Sequence, residues 1–401
     1  MKHLIKTTAL LTGSNVVARF TVMCFYVILA RAMLVSDYGL FRYLITLSVV
    51  FSVAFTGFPI ALTKFIGEDK SNKKNIAEYL TNSSIMMLIV FSVMIIITIS
   101  SQASKLYLGL LLFGLLVENF YLGFIRGLLN YVKLAGFQLV ENLIQLVILV
   151  VSFILLKQIN FSYAVIFFSI SPFLSLIIFE IMKPELKFCF YASEEKIKKI
   201  TKYAILVTLG SVGWTIMFSI NTIFLKYFYN TEQVGYYSVG VTIAQVFTFL
   251  PMAIYTIMLP KVAGLKDKSQ LQKPLTLAVL GSLFISILGL IFLLMLMKPI
   301  IMIIFGERYI PTLAVILPLS LGQISISLHQ IYSSVWQGLG KPIIPTINIS
   351  VAAILNVILS YFLTRSYGIL GASISNAITS FIALISTVII FYSKWKTLSK
   401  D

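Results

Sequence analysis

Apolar runs of about 20 residues, separated by short polar stretches, make up most of the chain. At a rise of 1.5 Å per residue, a helix of about that length crosses the roughly 30 Å hydrocarbon core of a bilayer. The pattern predicts membrane-spanning helices at about 8–30, 42–64, 77–100, 105–129, 135–157, 161–182, 203–227, 236–260, 274–297, 311–337, 343–364 and 370–393. The span boundaries around 298–318 are not fixed by the three prolines at 299, 311 and 318, because a proline can lie inside a membrane helix as well as at its end.

The composition excludes a soluble protein. The chain is 59% hydrophobic and 11% charged, with a mean hydropathy of +0.98, whereas soluble domains average about 25% charged residues. The net charge of +17 is spread over loops between apolar runs and forms no continuous patch, so we expect no nucleic-acid partner. Cys24 and Cys189 imply no disulfide framework.

The distribution of basic residues predicts the orientation. With the N-terminus in the cytoplasm, 22 lysines and arginines fall in inside segments and 8 in outside segments. The positive-inside rule therefore places both termini in the cytoplasm. Loops on both faces are short, which leaves no extramembrane domain for soluble chemistry.

Two halves of six spans each are expected. We predict an all-α fold with an N-terminal six-helix bundle (1–182), a basic cytoplasmic linker (183–202) and a C-terminal six-helix bundle (203–401). Gly39 and Gly235 occupy similar places in the halves, and each precedes a span with a proline, Pro59 or Pro251. Such parallel repeats are related by a pseudo-two-fold axis along the membrane normal, and transporters bind substrate between them.

Three segments near the start carry a family resemblance: 29–32 (LARA), 37–41 (DYGLF) and 57–65 (GFPIALTKF). They resemble the Wzx-type O-antigen and capsular polysaccharide flippases, of the polysaccharide transporter family in the MATE-like MOP superfamily. The resemblance implies transport of undecaprenyl-pyrophosphate-linked oligosaccharide repeat units across the bacterial inner membrane, by alternating access through a cationic central cavity. The implied protein is a monomer among membrane lipids, with the pathway's polymerase and glycosyltransferases as candidate partners.

Arg19 lies near the middle of the first apolar run. An arginine at that depth costs about 3 kcal/mol on insertion scales and about 10 or more for an isolated helix in simulation. A pyrophosphate ligand would justify the cost, since the guanidinium binds phosphate in a bidentate way. The alternatives are a position nearer the interface or a structural ion pair. Arg126 is the second candidate for pyrophosphate, unless it is an inside-loop charge, and Arg31 and Arg42 either snorkel at the outer interface or line the outer mouth.

Polar residues inside the spans are candidates for lining a glycan cavity. In the tenth span, four of them follow one another at spacings of 4, 3 and 4, which places them on one helical face. The alternative is helix–helix packing through small and polar side chains. The full candidate set is Asn15, Gln138, Asn142, Gln145, Gln323, Ser327, Gln330, Ser334, Asn348 and Asn356.

Two acidic residues, Glu118 and Glu141, lie well inside predicted spans. A buried ionised carboxylate is costly, so each must be paired, solvated or protonated. They are candidates for binding the proton or sodium ion that drives transport, with structural pairing to Arg19 or Arg126 as the alternative. No bound cofactor or metal is expected.

Two other functions share some of these features. A MATE-type multidrug or cation antiporter has the same fold, but acidic residues would be expected to dominate its cavity. A polytopic glycan-modifying enzyme needs a large outer loop or catalytic groups at the membrane face, and the outer loops here are short. We therefore expect a transporter and no enzymatic activity.

Overall fold

The computed structural model describes residues 2–69, 72–98, 104–156, 159–189, 194–263 and 271–398, with the backbone alone described for 2–12, 15, 97–98, 104–105, 156, 259–260, 263 and 395–398. These residues form twelve α-helices: α1 Lys2–Ala32, α2 Val35–Glu68, α3 Lys73–Thr98, α4 Ser104–Gly127, α5 Tyr131–Leu156, α6 Phe161–Met182, α7 Glu194–Phe228, α8 Thr231–Ala244, α9 Phe249–Ala263, α10 Gln272–Ile300, α11 Leu313–Gly338 and α12 Ile343–Leu398.

Ten helical stretches of the described chain are long and apolar enough to cross a membrane. They are Val35–Glu68, Lys73–Ile96, Leu106–Gly127, Tyr131–Leu155, Phe161–Met182, Glu194–Phe228, Thr231–Met258, Gln272–Phe305, Glu307–Gly338 and Ile343–Lys394. The predicted all-helical, multi-pass fold is confirmed. The count of twelve crossings and the symmetry between the halves stay predictions.

The predicted span at 236–260 is interrupted in the structure. α8 ends at Ala244, a 3₁₀ turn covers Gln245–Thr248, and α9 follows from Phe249. Pro251 explains the break, because proline has no N–H to donate and its ring clashes with the carbonyl four residues earlier.

The proline-rich region before α11 contains two irregular turns. A π-helical turn covers Ile301–Phe305, Gly306 has φ +100°, and a 3₁₀ turn covers Glu307–Thr312. α12 also contains one non-helical residue, Gly368, with φ 56° and ψ −132°. It lies between the two spans predicted at 343–364 and 370–393, and the left-handed φ explains the glycine there.

The chain divides into two compact units. The N-terminal unit comprises Met1–Met33 and Phe41–Thr215, and the C-terminal unit comprises Leu34–Leu40 and Ile216–Asp401. In the N-terminal unit, α5 packs against α1 and α6, and α4 packs against α6. In the C-terminal unit, α11 is the central helix, with α8, α9, α10 and α12 packed around it.

A buried lysine forms ion pairs that hold the segment after α6 against α5. Lys133 of α5 is only 6% exposed, and its Nζ lies 2.9 Å from Glu180 Oε1 and 3.0 Å from Glu185 Oε2. The other oxygen of Glu180 accepts hydrogen bonds from the backbone N–H groups of Glu185 and Leu186, both at 2.8 Å. Tyr121 donates to Glu180 Oε1 as well.

Contacts with α3 hold the rest of this segment and the start of α7. The backbone N–H of Cys189 donates to Thr81 Oγ1 of α3 at 3.0 Å, and Thr81 Oγ1 donates to the Cys189 carbonyl at 3.1 Å. Lys196, in the first turns of α7, is paired with Glu78 of α3. The connection between the halves is therefore held against α3, α5 and α6.

Candidate substrate-binding residues

Arg19 lies on a side of α1 that is not packed in its unit. The packed side of this helix carries Ala18, Thr21, Phe25 and Leu29, all less than 9% exposed, at spacings of 3 and 4. The Arg19 side chain is exposed, and no described residue forms an ion pair with it. The side chain of the neighbouring candidate Asn15 lies outside the described residues.

Two carboxylates and one guanidinium, from α4 and α5, interact electrostatically in the N-terminal unit. Glu118 of α4 interacts electrostatically with Glu141 of α5 and with Arg126 in the last turn of α4. Glu141 is 4% exposed, Glu118 is half-buried and Arg126 is exposed. Arg126 therefore attracts Glu118 electrostatically over a longer distance and forms no direct ion pair with any described carboxylate.

A tyrosine not singled out from the sequence joins this group. The guanidinium of Arg42 in α2 lies 4.1 Å from the ring centroid of Tyr26 in α1, as a cation–π contact. Glu118 also acts electrostatically on Tyr26. Arg42 is thus half-buried on an aromatic ring, while Arg31, in the last turn of α1, is exposed. We call Tyr26, Arg42, Glu118, Arg126 and Glu141 the N-terminal polar cluster.

The polar residues of α5 differ in their surroundings. Gln138 and Asn142 are half-buried, and no described side chain is assigned to them as a hydrogen-bond partner. Gln145 is 4% exposed and donates to Ser171 Oγ of α6 at 2.9 Å, so it contributes to packing between α5 and α6.

The polar face of α11 is largely buried within the C-terminal unit. Gln323 is 6% exposed, Ser327 and Ser334 are fully buried, and Gln330 is half-buried. Ser334 donates to the carbonyl of Ile331 in the turn before it. Ser327 Oγ has no hydrogen-bond partner in the described chain. The expectation that this face lines a wet cavity stays a prediction.

Two asparagines of α12 tie helices together through their nitrogens. Asn348 Nδ2 donates to Ser386 Oγ, across the break at Gly368, at 2.7 Å. Asn356 Nδ2 donates to the Met217 carbonyl of α7 at 2.9 Å. The carbonyl oxygens of both amides are buried and have no partner in the described chain.

His329, on another side of α11, is fully buried and bonded to its neighbours. Its Nδ1 lies 2.7 Å from Thr387 Oγ1 of α12, and its Nε2 lies 3.2 Å from Ser333 Oγ. His329 is therefore a packed polar residue. Among the described residues, no group of three or more His, Cys, Asp or Glu side chains is placed to hold a metal ion.

Solved structures share the fold of this chain. An inward-facing MATE-family multidrug transporter of the MOP superfamily has a TM-score of 0.73 at 14% identity, covering 95% of this chain and 96% of that one. An inward closed form of the lipid II flippase MurJ has a TM-score of 0.76 at 15% identity, covering 96% and 87%. A MOP-superfamily transporter from Pyrococcus furiosus has a TM-score of 0.63 at 15% identity, covering 99% and 97%.

These identities establish the fold alone, which is that of the MATE and MurJ transporters. No curated protein sequence matches the chain. The sequence model of one family, described as "Polysaccharide biosynthesis protein", matches residues 4–264, which is more than half of the chain. The chain therefore belongs to the polysaccharide biosynthesis protein family.

Proposed function

We propose that the protein is a flippase for undecaprenyl-pyrophosphate-linked oligosaccharide repeat units, of O-antigen or capsule, in the bacterial inner membrane. It works by alternating access, with both termini in the cytoplasm, and makes or breaks no covalent bond. Membership of a polysaccharide biosynthesis family and the fold of known flippases and exporters support transport of a glycan precursor.

The observation that carries the cargo assignment is the exposed guanidinium of Arg19 within an apolar helix. Its exposed neighbours Val17 and Phe20 are apolar, so a position against lipid would cost several kcal/mol. A water-filled chamber that receives a diphosphate removes that cost. In such a chamber the low surrounding dielectric strengthens the attraction between Arg19 and the multiply charged pyrophosphate.

The N-terminal polar cluster supplies the remaining charges of the proposed mechanism. Arg126 is exposed near Glu118 and serves as the second pyrophosphate-binding residue. Glu118 and Glu141, two interacting carboxylates with little exposure, bind the proton or sodium ion that drives the cycle. Arg31 and Arg42 lie at the outer mouth. In the N-terminal unit, the half-buried Gln138 and Asn142 are the proposed glycan contacts.

The acidic pair also favours a second function, a MATE-type antiporter. Two interacting carboxylates suit a cationic drug or its counter-ion, and a multidrug transporter shares the fold. The two functions predict different cargoes. A flippase variant accumulates lipid-linked glycan on the cytoplasmic leaflet, whereas an antiporter variant loses efflux of an organic cation.

In the test, the gene in its own host is replaced by genes that encode the Arg19→Ala, Arg19→Lys or Arg365→Ala variant, one at a time. Arg365 is exposed on α12 and lies outside the proposed site, so its variant is the matched control. We expect Arg19→Ala to trap lipid-linked glycan on the cytoplasmic leaflet, Arg19→Lys to restore part of the export, and Arg365→Ala to behave as wild type. Normal glycan export by Arg19→Ala at equal protein level, or loss of organic-cation efflux alone, would contradict the flippase.

A further inference from the structure

Three aromatic rings, Phe65 of α2, Tyr79 of α3 and Tyr203 of α7, pack together in the N-terminal unit with lysines beside them. We call these three rings the aromatic platform. The Phe65 ring stacks on Tyr79 with centroids 5.7 Å apart and meets Tyr203 edge-on at 5.8 Å. Lys64 Nζ lies 4.3 Å from the Tyr203 centroid, and Lys199 Nζ lies 4.7 Å from the Phe65 centroid. Each ammonium group therefore sits over a ring of the platform.

A close helix crossing fixes this arrangement. The backbone N–H of Gly57 in α2 donates to Thr208 Oγ1 of α7 at 3.1 Å, and a Cβ at Gly57 would overlap the Ala204 carbonyl. Phe65 of α2 contacts Tyr203, which precedes Ala204 in α7. The two helices therefore run antiparallel here, and their register brings Lys64 and Lys199 to the same platform.

Within the described parts of the chain, the two ammonium groups have only one long contact with a carboxylate. Lys64 Nζ is 3.9 Å from Glu68 Oε1, and both of these side chains are about half exposed. Lys199 is exposed and has no carboxylate partner within 4.0 Å among the described residues.

The other carboxylates nearby already have partners. Glu78 is paired with Lys196, and Asp69 accepts hydrogen bonds from the Tyr79 hydroxyl and the Asn75 amide.

Like charges held over adjoining rings repel each other, and an anion placed between them relieves that repulsion. Both ammonium groups lie within 5.5 Å of the Phe65 centroid, so a phosphate bound beside that ring is attracted by both charges. A phosphate diester also accepts a hydrogen bond from a phenolic hydroxyl such as that of Tyr203.

The surface next to the lysines is apolar. Ile60 precedes Lys64 by one turn of α2 and is 41% exposed, and Leu206 follows Lys199 by two turns of α7 and is 65% exposed. These spacings put each apolar residue on the same helical face as its lysine. Because α2 and α7 are antiparallel, Ile60 and Leu206 lie on the same side of the lysine pair. A charged site with an apolar strip on one side fits a phospholipid better than a free phosphate ion.

We propose that Lys64, Lys199 and Tyr203 bind the phosphate of an anionic phospholipid, with an acyl chain lying along Ile60 and Leu206. Basic pockets between membrane helices on the cytoplasmic side bind the head groups of cardiolipin and related lipids. The site holds α7 on α2 at the membrane surface. It does not depend on the transported cargo.

The experiment measures lipid binding to the purified full-length protein. Thermal unfolding midpoints are recorded in detergent with added cardiolipin, phosphatidylglycerol, phosphatidylcholine or inorganic phosphate, and retained lipids are counted by native mass spectrometry. The test variant is Lys64→Gln/Lys199→Gln. The charge-preserving variant is Lys64→Arg/Lys199→Arg. The matched control, Lys261→Gln/Lys341→Gln, removes two other exposed lysines.

We expect wild type, the arginine variant and the control to be stabilised by the anionic lipids and not by phosphatidylcholine or phosphate. The glutamine variant should lose at least about tenfold in apparent affinity for the anionic lipids. Its unfolding midpoint without added lipid reports whether it folds. Equal losses in the glutamine variant and the control, or an equal shift with inorganic phosphate, would overturn the proposal. If the glutamine variant does not fold, unchanged lipid retention in Tyr203→Leu would overturn it.

Discussion

Gly39 and Gly235 contact each other's helices in a reciprocal way. A Cβ at Gly39 would overlap the carbonyl of Thr231, four residues before Gly235. A Cβ at Gly235 would lie 2.5 Å from the carbonyl of Val35, four residues before Gly39. The first turns of α2 and α8 therefore cross backbone to backbone within the C-terminal unit, at two positions that the sequence pattern had paired.

Replacing either glycine by alanine should destabilise the protein. The Cβ has no space beside a backbone carbonyl, so the helices must separate, at a cost of about 1–3 kcal/mol. Thermal unfolding in detergent measures the effect, with Gly281→Ala as the control because no atom lies within 4 Å of a Cβ there. Since both substitutions open one contact, the double variant should lose less than the sum of the two losses. Unfolding midpoints equal to that of Gly281→Ala would contradict this packing.

Replacing Lys133 should lower the stability of the protein far more than replacing the neighbouring Lys183. Lys133 is 6% exposed and pairs with two carboxylates, so Lys133→Ala removes the described cationic partner of Glu180 and one of the two at Glu185, and should cost up to about 3–5 kcal/mol. Lys183 is 71% exposed and pairs only with Glu185, at 3.3 Å. Its alanine variant should change stability by about 1 kcal/mol or less.

Limited proteolysis provides a second measurement on the same pair of variants. Loss of Lys133 frees the segment after α6, so cleavage between α6 and α7 should accelerate in Lys133→Ala and not in Lys183→Ala. Similar cleavage rates in the two variants would show that the buried ion pairs do not hold this segment.

Thr387→Val should weaken the contact between α11 and α12. The substitution keeps the shape of the side chain and removes the hydroxyl that lies 2.7 Å from His329 Nδ1. Interhelical hydrogen bonds in membrane proteins are worth about 0.6 kcal/mol on average and about 1.7 at most. The expected fall in stability lies in that range, with the exposed Ser393→Ala unchanged. A larger fall would mean that His329 needs Thr387 for more than one hydrogen bond.

Glu141→Gln should uncouple transport from the ion gradient if the acidic pair binds the driving ion. The amide keeps the size of the side chain, carries no charge and does not titrate near neutral pH. Flipping in proteoliposomes should therefore no longer respond to a proton or sodium gradient. Glu118→Gln should act in the same direction. Glu307→Gln, at an exposed position before α11, is the control. Unchanged gradient dependence in Glu141→Gln would remove this role.

The helices were predictable because an apolar run is a local signal. The interruption before Pro251 and the turns at Ile301–Thr312 were not placed, since proline inside a membrane helix either continues it or breaks it according to its neighbours. The site residues show a similar limit. Sequence identified Arg42 as a residue of the outer interface or outer mouth and Glu118 as a costly buried carboxylate. Tyr26, which interacts with both, lies on a third helix, and no spacing in the sequence indicates that contact.

The exchange of segments between the two units sets an order for biosynthesis. The N-terminal unit includes residues of α7 up to Thr215, and the C-terminal unit includes Leu34–Leu40. A nascent chain that has emerged only as far as the basic loop lacks the last helix of its first unit, and the link between its first two helices has no partner yet. Neither unit is therefore complete until the later helices have been synthesised.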